Sequence, residues 1–506
     1  MPDFEKTSGT YSPSDAMTTQ DARKEFGGPR SDVHDDELPP ADAARMRKVY
    51  RKLDRRIIPA FWVLYFLGSA VRANVGLSQT MNTDRGHDLG TYLGLTSKQV
   101  SLGLTLFYVS YVVLELPSNL AMSKLSPSAW LARIIISVGI IGTAMVGMRS
   151  AASYYVLRLL LGAVEAGMWP GMSLFLTLFY PPQRMAKRVG WYFTASQVSA
   201  AVVGLVSAGF QKMDRDGGLV GFQWMFLLWG LVALVVGFSL LWWLPDRPTV
   251  PGETRRRSRW ASWLPTAKPA LTGEDAVLHY KDLSQAYLNT NWTLRDLSKV
   301  LLDWRLWPLL IMYFGVVGVG NGIQSYGTVI LGSINPSFTG IQLSLLYAPI
   351  WICDFIGILT FTPISDHFHK HRALFFTIPA CIQIIGLLVA TYAGNSTSEQ
   401  WGRYVGLLLV GFGLGSTVPI TMTWTATIFQ KRHGEVGVAA ATAVVSGFGN
   451  CGSILTNYAL YAGWAVDATR QPAYVGSNWV MIAILCVSIA SSWFMTIALR
   501  LTDREK

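Results

Sequence analysis

The chain has 506 residues, of which 51% are hydrophobic and only 14% charged, with a net charge of +11; its mean hydropathy is +0.32. Soluble proteins carry about 25% charged residues, so this balance excludes a string of soluble domains and points to a polytopic membrane protein. The basic surplus comes without a cationic stripe interleaved with aromatics, which argues against a nucleic-acid partner and leaves the positive-inside bias as its cause.

The first fifty residues are polar and lack the apolar core of a cleavable signal peptide. A window of about 20 residues, the length that crosses a bilayer, marks twelve spans. They lie at 57–79, 97–118, 130–148, 153–179, 189–210 and 222–244, then at 306–332, 341–365, 373–393, 403–428, 436–463 and 478–500. The expected fold is an all-α membrane protein of twelve transmembrane helices in two six-helix halves, with a lipid bilayer as its surroundings. Its parts are a tail at 1–56, a half at 57–244, a connector at 245–304, a second half at 305–500 and a tail at 501–506. The connector holds Arg255, Arg256, Arg257 and Arg259 and no spanning run, and Asn291 to Leu302 reads as a surface amphipathic helix. Short loops on the side of the tails carry Lys124, Arg133, Arg184, Lys187, Arg188, Lys370, Arg372, Lys431, Arg432, Arg500, Arg504 and Lys506. Those on the other side carry Arg85, Arg149, Lys212, Arg215 and Arg470, with Lys98 and Arg403 at span edges, and the excess on the tail side predicts cytoplasmic termini.

Taken along the chain, span 1 contains Arg72 and Asn74, and span 2 contains Tyr108 and Tyr111 and ends in Glu115-Leu-Pro117-Ser118-Asn119. Span 4 carries Arg158 and Glu165 within Arg158-Leu-Leu-Leu-Gly-Ala-Val-Glu165-Ala-Gly-Met-Trp-Pro170-Gly171. A charge at bilayer depth costs roughly 2.5–3.5 kcal/mol on insertion scales, so such residues face a protein interior or a water-filled path. Gly162, Gly167 and Gly171 permit close helix approach, and Pro170 invites a bend. Gln197 lies in span 5, and Asn321, Gln324 and Tyr326 lie in a glycine-rich span 7. Asp354 is a second charge at mid-span in span 8, read either as a titratable group or as a local partner of a hydroxyl or cation. After span 8 come Asp366 and Arg372, matching Glu115 and Lys124 after span 2 as a weak internal repeat: a polar helix end, then a basic residue in a short turn. In such a turn an acid can hold a base and lock two helices together. His367, His369 and His371 read as solvated loop histidines, and no metal site is expected. Asn395-Ser-Thr397 is a glycosylation sequon in a short loop, and Trp424 lies in span 10. The four cysteines, Cys353, Cys381, Cys451 and Cys486, fall in apolar runs and imply no disulfide framework.

Several further pieces, in order, make a pattern: Leu53-Asp54-Arg55-Arg56-Ile57-Ile58-Pro59, Arg72-Ala-Asn74, the Glu115–Asn119 and Arg158–Gly171 segments, Tyr180-Pro181 with Arg184, and Leu244-Pro245-Asp246-Arg247-Pro248. With them the chain resembles the major facilitator superfamily, in its anion:cation symporter branch of fungal allantoate, nicotinate, pantothenate and biotin permeases. The resemblance covers about Leu53 to Thr502. It implies the major facilitator fold, a midplane substrate site between the halves and alternating access, and, by family habit, the plasma membrane. Relatives commonly carry an aspartate where this chain has Val71, and that acid often shares proton coupling with the span-4 glutamate. Restoring it is expected to shift the pH optimum of uptake if position 71 faces the cavity.

Arg72 is the candidate anion anchor, because a guanidinium stays charged and clamps a carboxylate with two parallel hydrogen bonds. Glu165 is the candidate proton carrier, as a carboxyl at bilayer depth near cations is poised to titrate, and Asp354 is the second. Asn74, Tyr108, Tyr111, Gln197, Asn321, Gln324, Tyr326 and Trp424 are candidate substrate contacts, each also readable as a satisfied core residue. Glu115, Arg158, Asp366 and Arg372 are gating or structural candidates. No phosphate loop, zinc spacing or nucleophile elbow appears, so no enzyme and no cofactor are expected. The expected function is proton-driven uptake of a small organic anion by a monomer. The alternatives are proton-coupled efflux, disfavoured because span 5 holds Gly204 and Gly209 but no Gly-Pro pair, and a non-transporting sensor on the same fold.

Overall fold

The computed structural model describes residues 40–181, 184–248, 267–286, 294–368, 371–394, 397–470 and 472–504. Among them every long element is a helix, as hydrocarbon demands of a chain whose backbone must satisfy its own hydrogen bonds. The first half holds α1 Pro40–Ser78, α2 Ser97–Lys124, α3 Pro127–Ala144, α4 Ala151–Glu165, α5 Met168–Phe179, α6 Met185–Lys212 and α7 Gly221–Trp243. The connector supplies α8 Glu274–Ala286 and α9 Leu294–Leu302. The second half holds α10 Leu306–Ile334, α11 Gly340–His367, α12 Arg372–Tyr392, α13 Thr397–Gly449, α14 Cys451–Ala459 and α15 Val475–Arg504. Among the described residues, eleven helical stretches are long and apolar enough to cross a membrane, α4 and α5 counting together as one. We call the side that holds α8 and α9 the connector end and the opposite side the distal end.

Two distal helix starts repeat. Thr96 caps α2 in a capping box with Gln99, and Thr339 caps α11 in a capping box with Gln342. Each pair satisfies two of the N–H groups a helix start leaves unbonded. The same device opens the second crossing of each half, a stronger mark of the six-plus-six repeat than the turns after spans 2 and 8.

Three expected boundaries are corrected. Helix α1 begins at Pro40, not at 57, because Met46, Val49, Tyr50, Leu53 and Ile57 continue one buried stripe at helical spacing while the charges between them face outward. Span 4 is two helices. Spans 10 and 11 are joined, since α13 runs for 53 residues through the expected turn near 430; its apolar stretch covers Gln400–Gln430, and the remainder of span 11 is its last part and α14.

The first half's connector-end turn is also locked differently from the expectation. Asp246, beyond α7, accepts from Ser126 Oγ at 2.6 Å and Ser128 Oγ at 3.2 Å, and Arg247 donates to the Leu125 carbonyl at 3.2 Å. Glu115 does not serve that turn; it faces the other half. Asn395, Arg255–Arg257, Arg259, His369 and the side chain of Asp366 lie outside the described residues.

Helix α8 docks on the connector ends of α1 and α5. Arg45 pairs with Glu274 and Lys52 with Asp275, and the Tyr50 hydroxyl donates to Asp282. Buried His279 donates from Nε2 to the Phe179 carbonyl at 2.8 Å. Burial pushes the His279 imidazole below its ordinary range, against the smaller opposing pull of that carbonyl and of Asp282.

Candidate functional site

The span-4 break creates the centre of the site. Pro170 has no N–H to give to the Ala166 carbonyl, the partner it would have in a continuous helix. The helix stops at Glu165, Gly167 takes a left-handed conformation (φ 83°, ψ 2°), and helix resumes at Met168. A glycine is required there because other residues pay for positive φ. Broken helices at membrane depth are tolerated where they line a cavity or are buried in protein, and here the break leaves Glu165 at a helix end.

Arg72 meets it from α1. Its Nη2 lies 3.4 Å from Glu165 Oε1; the glutamate side chain is wholly buried and the arginine side chain 17% exposed. Neither Glu165 oxygen nor Arg72 Nε has a hydrogen-bond partner among the described residues. Tyr65, Tyr108 and Tyr111 stand around the guanidinium. Gly68 lets the broken helix approach α1, since a methyl group there would meet the Met168 side chain and lie 3.6 Å from Glu165 Oε1. Tyr65, Gly68 and Arg72 share one helix face at i, i+3 and i+7. Sequence reasoning singled out only the arginine, because a tyrosine and a glycine are ordinary residues in a membrane helix.

The remaining candidates fall into three groups. Tyr108 donates to Asn321 Oδ1 at 2.8 Å across the halves, Asn321 Nδ2 donates to Ser453 Oγ, and buried Asn74 has no partner for its side-chain amide among the described residues. Tyr111 stacks on Phe107 and faces Arg72. Asp354 is brought together with Gln197 of α6, across the junction of the halves, and neither Asp354 oxygen makes a hydrogen bond of good geometry among the described residues. Gly415 of α13 makes room for that carboxyl, because a methyl there would come within 2.5 Å of Asp354 Oδ1. No ion pair joins Asp354 to Arg72 among the described residues.

Other residues serve packing. Arg158 donates to the Gly103 carbonyl at 3.2 Å with its guanidinium 4.7 Å over the Phe107 ring, which ties α4 to α2. Arg372 donates to the Thr423 carbonyl at 3.2 Å and to Thr427 Oγ1 at 2.8 Å, tying α12 to α13. The Tyr326 hydroxyl lies 2.8 Å from both Ser101 Oγ and the Asn457 carbonyl, a tie between halves near the distal end. Gln324 is buried beside it, its carbonyl accepting from Tyr347 at 3.3 Å, and Trp424 is buried in α13. Further distal ties join Gln79 to the Ser325 carbonyl at 2.8 Å and Gln211 to Ser344 at 2.9 Å.

The arrangement is therefore a buried anion–cation pair at a helix break, ringed by tyrosines and set beside the junction of two helical halves. Comparison with known proteins agrees with that architecture. The model of the Major Facilitator Superfamily matches residues 60–457. The chain is 46% identical over 476 residues to "Vitamin H transporter 1" of Schizosaccharomyces pombe, covering 91% of this chain and 82% of that one. It is 27% identical over 449 residues to a "Putative tartrate transporter" of Agrobacterium vitis, covering 87% of this chain and 90% of that one. Among solved structures it superposes on a bacterial homolog of the human lysosomal transporter Spinster, inward-facing and unoccupied, with a TM-score of 0.59 at 14% identity, over 88% of this chain and 96% of that one.

Proposed function

The chain belongs to the major facilitator superfamily as a multi-pass membrane transporter, and from that premise we propose that it imports a small organic anion together with a proton. The observation that carries this reading is the Arg72–Glu165 pair, in which one guanidinium serves a carboxylate that nothing else satisfies. While Glu165 is ionised it occupies Arg72. Once Glu165 takes a proton the guanidinium is released, and its planar fork is free to clamp an incoming carboxylate. Anion and proton then bind together because each makes room for the other. Rocking of the halves carries both across; loss of the proton lets Glu165 reclaim Arg72 and expel the anion. Tyr108, Tyr111 and Asn321 line the same place and shape the substrate, while Gln197 and Asp354 form a second titratable contact at the junction; Asn74, two residues on from Arg72, leaves α1 on another face.

The substrate class is a vitamin-like carboxylate. Vitamin H carries a carboxylate on an apolar chain, which suits a guanidinium ringed by tyrosines, and it is the first compound to test. The end of the first half at 244, the second half at 305–500, the monomeric state, the plasma membrane and the cytoplasmic termini belong to this proposal. Radiolabelled vitamin H, tartrate and other small carboxylates, offered at two external pH values to cells lacking their own permeases, test it. Uptake of one of them should rise at the lower pH. Arg72→Lys should reduce it about tenfold or more, the equivalent of about 1.4 kcal/mol, because lysine offers a point charge in place of a fork. Full uptake in the lysine variant, or faster loss of preloaded label in place of uptake, contradicts the reading.

A further inference from the structure

Glu115 is a third buried acid within the membrane, and nothing described so far uses it. It is 4% exposed. Along α2, Tyr108, Tyr111 and Glu115 stand at i, i+3 and i+7, so they form one face, and that face meets the other half. Tyr108 bonds Asn321 of α10. Glu115 Oε1 accepts from Ser446 Oγ of α13 at 3.4 Å, and a methyl group on Gly447 would lie 3.4 Å from Oε2. Oε2 has no hydrogen-bond partner, and no cation pairs with the carboxylate among the described residues.

The charged and titratable groups that face Glu115 are Tyr111 on its own helix, Tyr313 of α10 and Cys451 of α14. Tyr111 in turn faces Arg72 and Glu165. Glu115 lies about 10 Å nearer the connector end than Tyr108, from the rise of an α-helix. A polar seam thus leads from the Arg72–Glu165 pair, by way of Tyr111, to an unpaired acid between the halves. An acid kept only for structure would be paired, because an unpaired charge at membrane depth costs several kcal/mol.

We infer that Glu115 is the connector-side proton release site of the transport cycle. The inference rests on the proton-coupled reading above. The carboxyl O–H of Glu165 gives its proton to the Tyr111 hydroxyl as that hydroxyl passes its own to the Glu115 carboxylate. Glu165 is left ionised and free to hold Arg72, Tyr111 is unchanged, and Glu115 is protonated. When α2 separates from Ser446 and Gly447, Glu115 meets connector-side water and gives the proton up. No bond other than O–H is made or broken.

The full chain in proteoliposomes tests this, with the pH of each face set separately, vitamin H as substrate and sidedness read from protease cutting of the connector. In the wild type, uptake should fall as connector-side pH is lowered, by about tenfold per pH unit below the midpoint, the slope of a one-proton release. Glu115→Gln should flatten the connector-side dependence and keep the distal-side dependence; Glu115→Asp should retain both. Glu165→Gln should lose both, which separates failure of this inference from failure of the coupling itself. Ser446→Ala leaves Glu115 in place and should move the connector-side midpoint, which keeps the question answerable if Glu115→Gln does not fold. An unflattened connector-side profile in Glu115→Gln, or an unmoved midpoint in Ser446→Ala, overturns the inference.

Discussion

Arg72 and Val71 are neighbours in α1 whose side chains leave the helix about 100° apart. Arg72 reaches Glu165, whereas Val71 is wholly buried toward α3, where a methyl group on Gly142 would lie 3.2 Å from its Cγ1. The acid that relatives carry at this place would, in this chain, stand between α1 and α3. The expectation that Val71→Asp shifts the pH optimum is therefore replaced. The variant should lose thermal stability, since burying an unsatisfied polar group costs about 1–3 kcal/mol and more when it is charged. A thermal-shift series on purified protein reads this; unchanged stability with a moved pH profile would place the residue against the cavity instead. At this scale the sequence revealed what stands out chemically. Arg72, Glu165 and Asp354 were legible as charges within apolar runs. Tyr65 and Gly68 were not, because aromatics and glycines are ordinary in membrane helices and only the partner across the gap gives them a role. Glu115 was legible as a polar helix end, but its contact with Ser446, 331 residues away, was not.

At the scale of elements, the apolar runs located the crossings and missed how they begin, break and join. Pro170 announced a bend, but the place of the break follows from the missing N–H four residues on from Ala166 and from Gly167, which only the backbone conformation displays. The helical start at Pro40 hid behind charges whose apolar partners, Met46 to Leu53, are buried, with Tyr50 against His279 of α8 and Tyr180 just past α5. Helix α8 shows most clearly what a connector can do beyond spanning a gap. His279 is held neutral, with its ordinary pKa near 6.5 pushed down by burial. An undocked histidine binds its proton more readily than a docked one, so docking stability is full above the ordinary histidine range and is lost as pH falls through the lowered value. Hydrogen exchange across residues 274–286, corrected for its intrinsic pH dependence, should therefore quicken on acidification below about pH 6.5. In His279→Phe, which keeps an aromatic ring against Phe179 but cannot titrate, that acid-dependent step should vanish. An identical acid response in the phenylalanine variant would assign it to the Arg45–Glu274 and Lys52–Asp275 pairs instead.

For the molecule as a whole, two halves meet along ties at the distal end, formed by Gln79, Gln211 and Tyr326, and along the Glu115–Ser446 contact nearer the connector end. The Arg72–Glu165 pair sits on the first half beside that junction, where relative motion of the halves can change which groups it meets. The division into halves was readable from hydropathy and from the matching sequence after spans 2 and 8, and the repeated threonine–glutamine caps give it physical form. The substrate was not readable, since the side chains that would choose among carboxylates are scattered over α1, α2, α6, α10 and α11 and acquire meaning only together. The central claim is that Glu165 exchanges Arg72 with the substrate as it takes and gives up a proton. Glu165→Gln in proteoliposomes tests it most directly. A neutral glutamine leaves Arg72 available to the anion at every pH, so counterflow of labelled against unlabelled vitamin H should persist while accumulation driven by an imposed proton gradient disappears. Accumulation that still follows the gradient in the glutamine variant would contradict the account.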